Sequence, residues 1–347
     1  MTVAKEMFSR KRILPLLLMV ILIIYWYFQK PTLLVHLEGQ TFGTIGYSIK
    51  YKDDRQRDFK PSIDSLLIVF NNALSHYIPN SELSRFNASS QPQSYTSPFF
   101  LPVLEESKLI YDLTDGAYNP AIMPLVNAWG FGPEKSILLD SAIVDSLLSF
   151  TDYNLVEFNK QQVWKKDPRL QLDFSASAKG YGVDVIAHFL SAKGVENYFI
   201  EIGGEVICAG TNIEGKAWRI GIIDPGSDIL NQQLIATVDL NNLALATSAN
   251  NFNYRIIDNV KYSHTIDPKS GYPIAQSILS ASVFARNCIT ADALATACMV
   301  MGVEKALALI TDMEGVEALL IYSDENGQTA YHITDGIKPF VSFVDNN

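Results

Sequence analysis

Three short stretches of the chain carry side chains whose types and spacing suit joint chemistry. In Thr290-Ala-Asp292-Ala-Leu-Ala-Thr296-Ala, Asp292 and Thr296 stand four residues apart, which places both oxygens on one helical face. A carboxylate beside a hydroxyl suits a hard cation such as Mg²⁺, and the surrounding alanines let another backbone or a ligand approach closely. The same residues also read as a plain helix start, with Thr290 as N-cap and Asp292 favourable to the helix dipole. A second stretch, Leu172-Asp173-Phe-Ser-Ala176-Ser-Ala-Lys179-Gly180-Tyr-Gly182, runs from a strand end through small residues into a helix, a junction that can turn backbone amides toward phosphate. Lys179 can add a point charge to a pyrophosphate there, and Asp173 can accept from a base or ribose; a surface lysine and an ordinary turn aspartate are the alternative. The third, Tyr262-Ser-His264-Thr-Ile-Asp267-Pro268-Lys-Ser-Gly271-Tyr-Pro273, holds a histidine able to act as acid or base near neutral pH, three residues from a carboxylate able to orient it. No serine or cysteine elbow accompanies it, so a hydrolase triad fits poorly. The other histidines, His36, His76, His188 and His332, lie apart in expected helices or strands and read as structural or exposed.

The elements that must position these residues follow from periodicity and turn signals. Gly43–Tyr51 alternates like a strand, Pro61–His76 has a helical apolar period, and Pro98–Asp115 reads as a second helix ending near Gly116. Leu170–Phe174 reads as a strand, followed by a helix that stops at Gly194 and a strand over Tyr198–Ala209. The Thr290 stretch opens a helix running through Met301 and on towards Leu309. Ala318–Tyr322 and Gln328–Ile333 flank Asn326-Gly327, a strong hairpin signal. Gly210-Thr-Asn-Ile-Glu-Gly215-Lys216-Ala217 mimics a phosphate-binding loop, but Ala217 has no hydroxyl for a metal and Trp218–Ile223 reads as a strand, so it is a turn between strands. Ala88–Pro98, rich in Ser, Gln and Pro, reads as an exposed loop. Strands and helices mix without a regular βαβ repeat and no internal repeat is evident, which points to an α+β fold in one compact unit.

With 347 residues, 48% of them hydrophobic, the chain is long enough for a large core and is not disordered. Its 27 Lys+Arg against 37 Asp+Glu give a net charge of −10, and no basic stripe follows residue 30, which argues against nucleic acid as a partner. Cys208, Cys288 and Cys298 sit in apolar stretches without metal-ligand spacing and read as buried thiols. Residues 1–12 carry Lys5, Arg10, Lys11 and Arg12 against Glu6, and the apolar run Ile13–Phe28 follows, ending in Tyr25-Trp26-Tyr27-Phe28. No cleavage site follows, so residues 1–30 are expected to be an uncleaved membrane anchor or signal, with 31–39 a linker and 40–345 the folded domain on the far, periplasmic side of the cytoplasmic membrane.

Taken together, the motifs resemble the ApbE-like FAD:protein FMN transferases over roughly residues 40–340. The likeness lies in Gly43-Thr44, Asn80-Ser-Glu-Leu-Ser-Arg-Phe-Asn87, Gly116-Ala-Tyr-Asn-Pro120, Pro124-Leu125, Trp129-Gly-Phe-Gly132, and Asp173 to Gly180. It continues in Glu201-Ile-Gly-Gly-Glu205, Trp218-Arg-Ile-Gly221, Ala246-Thr-Ser248, Ser263-His264 to Pro273, and Ala291-Asp292 to Thr296. The resemblance implies largely antiparallel sheets of a T-fold-related kind and an Mg²⁺-dependent transfer of FMN from FAD to a Ser or Thr hydroxyl of an acceptor protein, releasing AMP. Residue by residue, it implies that Ala176 ligates Mg²⁺ through its carbonyl while Asp292 and Thr296 supply side-chain oxygens. FAD would be held by Phe42, Tyr77, Ala117, Tyr118, Asn119, Asp173, Lys179 and the loop around Ile266. His264, helped by Asp267, would be the acid/base residue, and Lys179 would neutralise charge in the transition state. The implied acceptors are subunits of membrane redox complexes.

The chain departs from the family pattern at three points: Phe42 stands for a usual methionine, Asn119 for an aspartate, and Ala249 for a glycine. Asn119 keeps one acceptor oxygen and gains donors. Two other functions use the same features. One is an FAD pyrophosphatase releasing FMN and AMP, with water in place of the acceptor hydroxyl; the other is a tethered flavin-binding protein, which would not require the Asp292/Thr296 pair.

Overall fold

The computed structural model describes residues 15, 18–21, 33–133, 139–228, 230–249, 254–257, 260–263, 265–274 and 278–344. An eight-stranded antiparallel sheet carries the fold, and its strands lie side by side in chain order. They are β1 (Leu34–Thr41), β2 (Ile45–Lys52), β3 (Tyr198–Ile202), β4 (Glu205–Ala209), β5 (Leu243–Ala249), β6 (Ile278–Ala285), β7 (Glu317–Ser323) and β8 (Thr329–Ile333). Between β2 and β3 the chain inserts helices α1 (Lys60–Leu74), α2 (Phe100–Leu113) and α3 (Ala178–Ala192); between β6 and β7 come α4 (Cys288–Met301) and α5 (Val303–Asp312).

Helices α3 and α4 lie against one face of the sheet. A three-stranded sheet of Trp218–Ile223, Leu234–Leu240 and Val341–Phe343 covers the other. Ala281, Val283, Ala318 and Leu320 point into the core under α4, while their neighbours Phe284, Leu319 and Ile321 point into the core beneath the small sheet. Because successive strand side chains face opposite ways, a strand covered on both sides must be apolar almost throughout, as β6 and β7 are. A further core around Phe70, Phe100, Phe174 and Tyr153 joins α1 and α2 to the segment leading into α3.

The α+β reading holds, as do the Asn326-Gly327 hairpin, with Gly327 at φ +75°, and the turn before Trp218–Ile223. Four element assignments change. The strand expected over Tyr198–Ala209 is a hairpin, folded at Gly203 and Gly204, whose φ values of +60° and +103° suit glycine. The helix expected to run from Thr290 towards Leu309 breaks at Gly302, φ +78°. Its N-cap is Asn287 rather than Thr290, whose hydroxyl donates instead to Glu106 Oε1 at 2.6 Å. Leu170–Phe174 is extended but joins no ladder. Its ladder partner is a side chain: the Asn87 carboxamide accepts from Leu172 N–H at 2.7 Å and donates to Leu172 C=O at 2.8 Å. The three cysteines are free and buried. Among the described residues no helix is long and apolar enough to cross a membrane, and most of the expected anchor lies outside them.

Candidate active site

Helices α3 and α4 cap one another. The Asp184 carboxylate of α3 accepts from the first two N–H groups of α4, Cys288 and Ile289, both at 2.8 Å. In return Asp292 Oδ2 of α4 accepts from Gly180 N–H in the first turn of α3 at 2.9 Å. The exchange satisfies donors that a helix start leaves without intrahelical partners. It also requires close approach: a Cβ on Gly180 would lie 2.3 Å from Cys288 O and 2.8 Å from Asp292 Cβ. Asp292 is therefore fixed in direction as well as place.

Lys179 closes the cluster. Its ammonium forms an ion pair with Glu205 at the start of β4 and stands 3.9 Å from Asp292 Oδ1. Burial opposes the charge on Lys179, but the Asp292 and Glu205 carboxylates outweigh it and hold its pKa above the ordinary lysine value. Burial pushes Glu205 up to about 8, against the pull of Lys179, and raises Asp292 too. Asp184 is pushed up to about 7, again by burial, against the pull of the two N–H donors. Two acidic groups thus face one ammonium, and among the described residues the buried Glu205 Oε2 has no hydrogen-bond partner. Thr296, one turn along α4 from Asp292, meets Ser248 of β5, with 3.2 Å between hydroxyl oxygens. Ala176 packs against the core that contains α4 residues.

Asp173 lies three residues before Ala176. Its N–H donates to Pro120 C=O at 2.7 Å, and its Oδ1 accepts from Ser175 N–H at 2.8 Å and Ser175 Oγ at 2.6 Å. His76 Nδ1 stands 3.3 Å from the same oxygen, with both side chains about nine-tenths buried. Burial alone would raise the Asp173 pKa; His76 and Ser175 more than offset it and keep the carboxyl below its usual range. His76 thus adjoins an expected FAD contact, and it lies in the turn after α1 rather than in the helix or strand expected of it. Its ring packs on Tyr77, centroids 4.1 Å apart, and Tyr77 is itself 67% exposed.

The other expected FAD contacts are more enclosed. The Tyr118 hydroxyl is buried between Ser107 and Ser177, at 3.1 and 2.8 Å, and Ala117 is buried beside it. Asn119 caps a short 3-10 turn, accepting from Ala121 N–H at 2.9 Å and donating to Thr151 C=O at 2.6 Å. Phe42, with φ +48°, packs edge-on to Phe70 and beneath Gly182. Ile266 is buried with Leu125, Trp129 and Val144, and Trp129 Nε1 donates to Gly271 C=O at 2.8 Å, tying the 265–274 loop to the short helix Met123–Ala128. Asp267 Oδ1 accepts from Lys269 N–H at 2.9 Å within that loop. His264 lies outside the described residues.

Among the described residues, no three His, Cys, Asp or Glu side chains gather as a metal cage. The donor set still fits Mg²⁺, which is commonly held by one or two carboxylates with the remaining positions left to water and substrate phosphate. Two acidic groups share one ammonium, and among the described residues Glu205 Oε2 is left without a partner, an arrangement that added positive charge would suit. Sequence reasoning missed Asp184, Glu205 and His76 as site residues. Glu205 stood inside a quoted motif without a role, and an aspartate within the apolar period of a helix was the one signal for Asp184.

An α+β sheet protein that sets a lysine against two buried acidic groups at a helix crossing has the makeup of an enzyme that handles a charged group. Comparison with known proteins narrows this class. The model of the ApbE family matches residues 42–320. The FAD:protein FMN transferase of Vibrio cholerae is 38% identical over 322 residues, spanning 90% of this chain and 95% of that protein. Its Haemophilus influenzae counterpart is 35% identical over 86% of this chain and 89% of its own length. Among solved structures, the flavin transferase ApbE from V. cholerae superposes with a TM-score of 0.79 at 35% identity, over 89% of this chain and all of that one. The apo flavinyl transferase ApbE of Pseudomonas stutzeri gives 0.78 at 29% identity, over 89% of this chain and 97% of that one. The chain belongs to the ApbE family.

Proposed function

We infer that this chain transfers FMN from FAD to an acceptor protein. The Lys179–Glu205–Asp292 cluster, a half-buried ammonium against two buried acidic groups, carries the reading within a family of flavin transferases. Asp292, Thr296 and the Ala176 carbonyl would hold Mg²⁺, which when bound supplies positive charge to the pyrophosphate oxygens of FAD. Lys179, kept protonated by its two carboxylates, supports the same developing charge. Asp173 and Tyr77 line the approach, one as a hydrogen-bond acceptor and the other as an open ring for a planar group. A Ser or Thr oxygen of the acceptor attacks the FMN phosphorus, the bond from that phosphorus to the bridging oxygen breaks, and AMP leaves with that oxygen. The proton lost by the hydroxyl goes to a base, a role assigned to His264 with Asp267. The enzyme supplies no nucleophile of its own because the acceptor brings it.

The basic residues before the Ile13–Phe28 apolar run support a membrane-anchored enzyme working on the periplasmic side, with subunits of membrane redox complexes as acceptors. The test is to incubate the full chain with FAD, Mg²⁺ and a candidate acceptor domain. In-gel flavin fluorescence, the acceptor's mass, and free FMN and AMP are then measured. An FMN-sized mass increase that EDTA abolishes supports the transferase. Equal release of FMN and AMP, with no labelled protein across several acceptors, identifies a pyrophosphatase instead.

A further inference from the structure

Both hydrogen-bond donors to the Asp173 carboxylate among the described residues, Ser175 N–H and Ser175 Oγ, converge on Oδ1, and His76 Nδ1 stands 3.3 Å from the same oxygen. Among the described residues none reaches Oδ2. The backbone at and before Asp173 is pinned, Asp173 N–H to Pro120 and both polar groups of Leu172 to Asn87. A carboxylate with one saturated oxygen and one bare oxygen is a directional acceptor. It recognises an N–H or O–H donor and repels phosphate. Within FAD, the adenosine half offers such donors in its exocyclic amine and ribose hydroxyls. His76 has a second contact, since its ring supports Tyr77.

We propose that His76 is a positioning residue, holding Asp173 so that Oδ2 meets a donor of the adenosine half of FAD while its ring backs Tyr77. The proposal rests on the reading of Asp173 as a nucleotide contact. The proposal concerns the donor, and variants separate it from the ring. His76→Asn keeps a donor near the place of Nδ1 but loses the ring; His76→Phe keeps a ring but loses the donor. His76→Ala is a donor-free variant with no bulk to misplace, should His76→Phe fail to fold.

Equilibrium binding of AMP and of FMN, each to the full chain, reads the adenosine and flavin halves separately. The donor-free variants are expected to bind AMP about tenfold more weakly, in keeping with loss of a hydrogen bond to a charged group, and FMN within about twofold of wild type. His76→Asn is expected to restore AMP binding. Asp173→Asn is measured alongside. If it weakens AMP binding while His76→Phe and His76→Ala leave AMP binding unchanged, His76 does not position Asp173 and the proposal fails alone. If Asp173→Asn leaves AMP binding unchanged, the nucleotide reading of Asp173 fails and the proposal with it. Loss of AMP and FMN binding together in every His76 variant, Asn included, marks a structural residue and also overturns it.

Discussion

At the α3–α4 crossing, Asp292 and Glu205 are almost wholly buried, Lys179 is held between them, and the helix starts are capped by each other's carboxylates. At the rim, Tyr77 is 67% exposed and rests on one neighbouring ring. The crossing concentrates charge where water is scarce, so each charge acts strongly there. The rim would offer area and one directed acceptor to a ligand. On the proposed reading, charge neutralisation sits on rigid helices, and recognition is shared between the exposed Tyr77 and the largely buried Asp173.

The largest effect expected of breaking this contrast comes from Asp292→Asn. The amide still accepts from Gly180 N–H and keeps the volume, but the negative charge is gone. FMN transfer to an acceptor, followed by flavin fluorescence, should fall about 10²–10³-fold, the range for losing one preorganised electrostatic group. The melting temperature should hold or rise, since burial already disfavours the ionised form. Transfer at near wild-type rate would remove Asp292 from the reaction.

Next comes Gly180→Ala. Its methyl would press on the Cys288 carbonyl at 2.3 Å and on Asp292 Cβ, neither of which is the free end of a flexible side chain. Overpacking of this kind costs about 1–3 kcal/mol, read as a shift in the denaturant midpoint, with activity falling alongside as the helices part. Unchanged stability would show that the crossing is looser than its contacts suggest.

Asp184 gives a smaller effect with a definite sign in pH. Its folded pKa of about 7 lies above its unfolded value because of burial, so the native state holds a proton that the unfolded chain has lost. Its contribution to stability is full below about pH 4 and is lost as pH rises to about 7. The unfolding free energy of the wild type relative to Asp184→Asn should therefore decline across that window and level off above it. A difference that grows with pH would mean that the Cys288 and Ile289 donors outweigh burial.

These residues also show what the sequence made legible. The pair Asp292/Thr296 could be read because its four-residue spacing is a local property of a helix, and Trp218–Ile223 because its side chains alternate. The partners of Asp292 and Asp184 lie 112 and 104 residues away, and such pairings leave no periodic trace. Leu170–Phe174 has the alternation of a strand, yet the Asn87 side chain takes the place of a neighbouring strand. His76 follows a helix with apolar period, and only the fold brings Asp173 to it. Glycines at positive φ decided two boundaries, Gly203-Gly204 and Gly302, where an apolar pattern alone ran on.

The smallest effect should come from Tyr77→Leu, and it sharpens the comparison most. A side chain this exposed contributes little to packing, so the melting temperature should not move. Loss of an aromatic face for a planar group is worth about 0.5–1.5 kcal/mol, or about 2–10-fold in the KM for FAD. If the rim only recognises, kcat stays near wild type because the contact is equal in ground and transition states. An equal fall in kcat and kcat/KM with KM unchanged would mean that Tyr77 tightens on the ligand as the pyrophosphate breaks. The rim would then share in the chemistry assigned to the crossing, and the division between the two regions would not stand.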